Sequence, residues 1–301
     1  LAGDGMLYSF YVSNGEDAAP PMRFLAANAN AQGLIVVDNV AYVATSGGCG
    51  GAADAVWALD LESKQVTSWK SSSGRIAGSG GAAMGPDGTV FITTAGGEMA
   101  ALGPKTLRAK ATHKAGQGFA SSPVLFQQKE RTLIAAAATD GRIHLLDSAN
   151  LTPLSQSAAT ADLPPGAMAS WEDGGVRWLA APGASSIVAW KVVDRGGSPV
   201  LETGWTLRSM TAPLAPMIVN GVMFAVSSGE NRDPKATPAE RAKRSTSAVL
   251  YALDATTGKE YWNSGSTMTS VARGGLSAGG SQVYVTTHDS TLYVFGMPIE
   301  H

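Results

Sequence analysis

Cysteine is nearly missing from this sequence. Cys49 stands alone in 301 residues, so no internal disulfide can form and packing must hold the fold. Its loop, Gly47-Gly48-Cys49-Gly50-Gly51, reads as a turn and not as a nucleophile's setting. Charge is scarce as well: 15% of residues, where an ordinary globular chain has about a quarter. The formal net charge of −2 offers no basic face of the kind a nucleic-acid partner requires. No apolar run reaches the roughly 18 residues of a spanning helix, so no helical membrane span is expected. The chain opens Leu1-Ala2-Gly3-Asp4-Gly5, with neither a basic leader nor an initiator Met, and this end is read as processed or truncated. The usual chemical motifs are missing too. There is no P-loop and no dinucleotide fingerprint. Gly78-Ser79-Gly80 falls on an expected strand, not at the strand-to-helix turn of a nucleophile elbow. The four histidines, His113, His144, His288 and His301, show no zinc-ligand spacing. His144 is read as packed on a strand, and His288-Asp289 as a turn pair.

What the chain does have is glycine, 36 residues of it, together with much Ala, Ser and Thr and a 44% hydrophobic share that can fill a large core. These suit short strands joined by tight turns. One strand pattern recurs: Leu7 to Tyr11, Val56 to Asp60, Met99 to Gly103, Ile143 to Asp147, Ile187 to Lys191, Leu250 to Asp254 and Leu292 to Gly296. The steps between copies are 49, 43, 44, 44, 63 and 42 residues. A second strand precedes six copies, with Asp38-Asn39, Asp87-Gly88, Gly174-Gly175 and Asn220-Gly221 as hairpin turns. Inner strands are expected before these, over 32–36, 79–84, 121–125, 167–171, 212–217 and 274–278. Outer strands are expected after the Asp-rich turns, at 65–70, 107–112, 201–207 and 260–264. A period near 43 fits the four-stranded blade of an all-β propeller, with about seven blades in a single domain over 1–301. The first copy lacks its inner strands and the last its outer one. Two readings stay open: seven blades closed by pairing the two ends in one blade, or an eight-bladed ring lacking its N-terminal part.

The 63-residue step contains an insertion over 229–246. It holds five of the 22 basic residues: Arg232, Lys235, Arg241, Lys243 and Arg244. Thr237-Pro238-Ala239-Glu240 is a capping box with proline at the first helical position, which predicts a short helix over Pro238 to Arg244. Loops of this length are either functional or solvated excursions.

The repeat Leu250-Tyr-Ala-Leu-Asp-Ala-Thr-Thr-Gly-Lys-Glu-Tyr-Trp262 resembles the signature of the pyrroloquinoline-quinone-type (PQQ-type) propeller repeats, and Trp57 to Trp69 is a weaker copy. In it Asp254 accepts turn N–H groups, Gly258 supplies a positive φ and Trp262 fills the gap between blades. The resemblance implies an exported bacterial protein, periplasmic or extracellular. It implies either a binding or protein-interaction scaffold, as in outer-membrane protein assembly, or a PQQ- and Ca²⁺-dependent dehydrogenase of alcohols or sugars. The dehydrogenases stack the quinone between a Trp and a disulfide of adjacent cysteines. This chain cannot make that disulfide, so a scaffold without a complete quinone site is the leading expectation. The channel face is where a small-molecule or protein ligand is expected. The residues placed there are Asn28, Asn30, Gln32, Arg75, Ser79, Gln117, Ser121, Trp171 and Arg273. Trp171, next to Glu172 and Asp173, could floor a quinone beside Ca²⁺, or pack at the channel mouth. Arg75 and Arg273 could favour an anion.

Overall fold

The computed structural model describes residues 1–160 and 167–296, and His301 lies outside them. The strands fall into seven antiparallel sheets that follow one another along the chain. The first sheet holds β1 (Met6–Phe10) and β2 (Asp17–Arg23). The second runs β3 (Ala31–Val37), β4 (Val40–Thr45), β5 (Ala55–Asp60) and β6 (Val66–Lys70). The third runs β7 (Ala83–Met84), β8 (Val90–Thr93), β9 (Glu98–Leu102) and β10 (Ala109–Lys114). The fourth runs β11 (Val124–Gln128), β12 (Arg131–Ala137), β13 (Ile143–Asp147) and β14 (Pro153–Gln156). The fifth runs β15 (Ala169–Asp173), β16 (Val176–Pro182), β17 (Ile187–Arg195) and β18 (Ser198–Leu207). The sixth runs β19 (Met217–Val219), β20 (Val222–Ser227), β21 (Val249–Asp254) and β22 (Glu260–Asn263). The last holds β23 (Ser277–Gly279), β24 (Gln282–Thr286) and β25 (Leu292–Gly296). Each strand pairs with its neighbour in sequence. One helix, α1 (Pro238–Arg244), sits in the insertion.

The turns explain the registers. Asp38-Asn39 and Asn220-Gly221 have positive φ at both residues and close two-residue hairpins, Val37 opposite Val40 and Val219 opposite Val222. Such mirror-image turns match the twist of the strands they join. Gly174-Gly175 does the same between Asp173 and Val176. Asp87-Gly88 differs: Met84 pairs with Val90, so that turn is longer than two residues. The inner strands also start later than the spacing suggests. Val124 and Met217 begin β11 and β19, where 121 and 212 were expected. Pro123 and Pro216 stand immediately before them and have no N–H to give to a ladder. Upstream, Ile76, Phe119, Pro213 and Ala272 make single bridges to the strand beside them.

The chain divides into two compact units, Leu1–Pro153 and Leu154–His301. In each, the cores lie between the faces of consecutive sheets. Val40, Tyr42, Val56 and Ala58 pack on Val90, Ile92, Ala100 and Leu102 in the first. Trp178, Ala180 and Ala189 pack on Met223, Ala225 and Leu253 in the second. Strands β4, β8 and β9 are buried at every residue, because the middle strands of a sheet covered on both faces have no wet side. The outer strands β10 and β22 are largely exposed.

Candidate functional site

In the second unit α1 and the loop before β23 lie on either side of a cleft of about 410 Å³. The insertion forms one wall. After β20 ends at Ser227, the Thr246 N–H donates to the Gly229 carbonyl (2.8 Å), which closes the neck of the insertion. Inside that loop Thr237 caps α1: its Oγ1 accepts from the Glu240 N–H (3.3 Å), and Glu240 Oε2 accepts from the Thr237 N–H (2.8 Å). Ser245 Oγ accepts from the Asn231 N–H (3.0 Å) and donates to the Arg241 carbonyl (2.8 Å). Ala236, just before the cap, is buried. Several polar groups at the ends of this seven-residue helix therefore have local partners, which stabilises it. The opposite wall is Thr269 to Val271, Arg273 and His288. It is tied to the sixth sheet by Ala272 N–H to Ser228 carbonyl (3.0 Å) and internally by His288 N–H to Val271 carbonyl (2.9 Å).

Glu230 joins the two walls. Its Oε1 accepts from Arg273 Nε (2.8 Å) and lies 2.7 Å from Arg273 Nη2, while Oε2 accepts from Arg232 Nε (3.0 Å). Burial works to raise the Glu230 pKa; the Arg232 and Arg273 guanidiniums more than offset it, and the carboxyl ends below its ordinary value. Arg241 donates one hydrogen bond, to the Ala236 carbonyl (3.0 Å), and has no carboxylate partner among the described residues. The remaining lining is Asn231, hydroxyl residues, His288 and the apolar Pro238, Ala242 and Val271, with no aromatic ring other than that imidazole. The cleft is thus hydrophilic, net positive and equipped with guanidinium donors. It suits recognition of a polar anion.

Of the residues placed on the channel face from the sequence, Arg273 alone lines this cleft. Asn30 Nδ2 and Gln32 Nε2 converge on Ser46 Oγ (3.4 and 3.2 Å), leaving Gln32 Oε1 buried without a partner. Asn28, Arg75, Ser79 and Gln117 are exposed on loops of the first unit. Ser121 is buried, its Oγ accepting from the Ala137 N–H (2.8 Å). Trp171 is 6% exposed in the core of the second unit. It lies directly opposite Trp178 on the neighbouring strand, and the two indoles stack at 5.7 Å and 10°. Glu172 lies opposite Arg177 and is ion-paired to it at 2.8 Å. Successive strand residues point to opposite faces, so Trp171 and Glu172 cannot close on one ligand. Trp262, expected to fill the gap between blades, meets Phe295 at 5.6 Å yet stays 46% exposed. The indole that docks on the next sheet's turn is Trp205: its Nε1 donates to the Ala255 carbonyl (3.0 Å). Ser245 to Ser247, Thr269, Ser270 and His288 were not marked in the sequence as ligand-facing. Their signal lies in the approach of two loops far apart in the chain, which no local motif encodes.

A quinone with Ca²⁺ needs an open aromatic floor beside a carboxylate cluster. The residues present do not fit it. Trp171 is buried on Trp178, Glu172 faces away, and Cys49 has no partner cysteine. Among the described residues no three His, Cys, Asp or Glu side chains gather into a metal-binding group.

Antiparallel sheets in series, most of them four-stranded, with cores between their faces, define a β-propeller fold. The chain is similar to the crystal structure of BamB from Moraxella catarrhalis, with a TM-score of 0.65 and 16% identity over 98% of this chain and 81% of that one. It is also similar to a quinohemoprotein alcohol dehydrogenase from Pseudomonas putida HK5, with a TM-score of 0.62 and 11% identity over 94% of this chain and 59% of that one. This chain therefore spans less than two thirds of the dehydrogenase's length. No family model and no curated protein matches the sequence. At these identities the likeness carries the fold and not an activity. No described helix is long and apolar enough to cross a membrane.

Proposed function

We propose that this protein is an exported propeller, periplasmic or extracellular, that works as a binding or protein-interaction module without quinone chemistry. The observation that carries the reading is Trp171. The aromatic ring best placed in sequence to floor a quinone is taken up by Trp178 and the surrounding core. The single exposed cysteine and the opposed faces of Trp171 and Glu172 support the same reading. The cleft beside the insertion is the binding feature of the second unit, and its polar lining favours recognition over catalysis.

The test is a titration of the protein with PQQ and Ca²⁺, followed by tryptophan fluorescence and by dye-linked oxidation of primary alcohols and aldoses. The expected result is no saturable quenching and no dye reduction. Saturable one-to-one quenching with turnover would make this a quinone-dependent dehydrogenase and overturn the scaffold reading.

A further inference from the structure

We propose that the cleft between the insertion and the loop before β23 is a specific site for a small, hydrophilic molecule carrying an oxyanion group, a carboxylate or a phosphate. This rests on the binding-module reading above and names the ligand class of its cleft.

The cations come first. Arg273 has five N–H donors; Glu230 engages its Nε and Nη2, and the side chain remains 57% exposed. Arg241 uses one Nη1 bond on its own loop and faces no carboxylate among the described residues. Against these two guanidiniums the lining sets one carboxylate, Glu230, which is already shared with Arg232. A guanidinium with unused, solvent-reachable donors beside partly buried walls is the usual recognition element for oxyanions. The other donors are of matching kind: Ser247, Ser270 and the exposed His288 supply hydroxyl and imidazole groups. A volume of about 410 Å³ suits a small molecule, not a protein segment. The absence of an aromatic wall disfavours a flat ring such as a quinone, whose faces would stay wet.

The second support is that the cleft is built. The insertion is largely exposed but ordered: it is closed at its neck, capped, and bonded through Ser245 to both of its arms. Its other basic residues are placed differently. Arg244 pairs with Asp233 (3.5 Å), and Lys243 is exposed outside the lining. The five basic residues of the insertion are thus not one diffuse cloud of charge, and only Arg241 among them lines the cleft.

The experiment is isothermal titration of the protein with citrate and, separately, inorganic phosphate, at an ionic strength near 0.1 M so that long-range attraction is screened to about 10 Å. Saturable one-to-one uptake at a Kd of about 1 mM or tighter is expected for at least one probe, and the tighter one tells carboxylate from phosphate. Arg273→Lys keeps the charge but loses the fork, and should weaken binding about tenfold. Arg241→Gln should do the same. Glu230→Gln removes the internal competitor and should tighten binding severalfold, a direction that mere structural damage does not produce. Lys243→Ala makes the same charge change as Arg241→Gln outside the cleft and should leave Kd within about twofold. Circular dichroism and the melting temperature confirm folding of each variant. Equal weakening by Lys243→Ala and Arg241→Gln, or no saturable uptake of either probe by a folded protein, overturns the inference. Dye-linked turnover with PQQ would instead overturn the scaffold reading, so the two failures are distinguishable.

Discussion

Two seams between neighbouring sheets, one in each unit, are built in opposite ways. In the first unit, backbone meets backbone. Gly78 has φ +71, and a Cβ placed there would lie 2.0 Å from the Ser122 nitrogen. Ser122 Oγ accepts from the Gly80 N–H (2.9 Å), and Thr93 Oγ1 donates to the Ser121 carbonyl (2.7 Å). In the second unit the backbones meet only below the insertion, Ala272 N–H to the Ser228 carbonyl (3.0 Å); the 18 residues over 229–246 form one wall of an open cleft, and a side-chain clamp, Arg232–Glu230–Arg273, reaches the other. The difference teaches where to look for a ligand. Polar residues at the start of an inner segment do not make a site when backbone fills the space, whereas an insertion that stands over a neighbouring loop encloses room and lines it.

The sharpest way to break this comparison is Gly78→Ala. It forces an L side chain into the left-handed region and drives a methyl into the Ser122 backbone, a combined cost of about 3 kcal/mol or more. Gly47→Ala is its counterpart: φ is +81, but nothing lies within 4 Å, so only the conformational cost of about 1 kcal/mol remains. Urea unfolding at constant slope measures both. Equal losses would mean that the Gly78 seam is not held by backbone contact.

In the second unit the next largest effect belongs to Trp205. Its indole covers Gly258, where a Cβ would come within 2.6 Å of the ring, and it hydrogen-bonds the Ala255 carbonyl. Trp205→Ala should cost about 2–3 kcal/mol, the low end for such truncations because the ring is partly exposed, and Trp205→Phe about 1 kcal/mol for the bond alone. If Trp205→Phe costs as much as Trp205→Ala, the hydrogen bond and not the ring's cover of Gly258 joins these sheets.

Much of this was legible in the sequence, and the boundary is physical. Period, strand order and turn positions follow from local alternation and from Asp, Asn and Gly, whose reasons are local. The insertion and its capping box are local too. The site is not. Arg75 and Arg273 looked equivalent because each starts an inner segment, Gly74-Arg-Ile-Ala-Gly-Ser and Val271-Ala-Arg-Gly-Gly. Only Arg273 has an insertion opposite it, and only packing shows that Glu230 holds it. Trp171 beside Glu172 looked like a paired site because adjacency in sequence reads as proximity, yet in a strand it means opposite faces. Trp262 matched the family signature, but Trp205, outside any recognisable motif, makes the docking contact.

A smaller effect tests how dry the first unit's packing is. His144 is 4% exposed, with its ring edge-on to Phe119 at 5.5 Å and Nε2 without a partner. Burial lowers its pKa, so the neutral form is the one the fold accepts. A base whose folded pKa lies below its unfolded value of 6.5 contributes fully above that value and loses its contribution as pH falls. Stability should therefore drop between pH 7 and 5 by up to about 1.4 kcal/mol per pH unit, and His144→Phe should flatten that limb. An unchanged limb in the variant would mean that water reaches His144.

The smallest effect concerns the turn on which Trp205 docks. Asp254 Oδ1 accepts from the Thr256 and Thr257 N–H groups (2.9 Å each) and from Thr256 Oγ1 (2.7 Å), and Oδ2 accepts from the Tyr261 hydroxyl (2.6 Å). These bonds, the Tyr261 hydroxyl foremost, hold its carboxyl far below the ordinary value of 3.8. Asp254→Asn keeps one acceptor oxygen and removes the charge, so its cost should be about 1 kcal/mol or less. The sign with pH is opposite to that of His144. A carboxyl with a depressed folded pKa contributes at every pH above its unfolded value and loses that contribution only as pH falls below about 4. The gap in melting temperature between wild type and Asp254→Asn should hence be constant from pH 5 to 8 and close on the acid side. A gap as wide at pH 2 as at pH 7 would place the turn's stability in the backbone and in the Gly258–Trp205 contact, and make the carboxylate incidental to how the second unit joins its sheets.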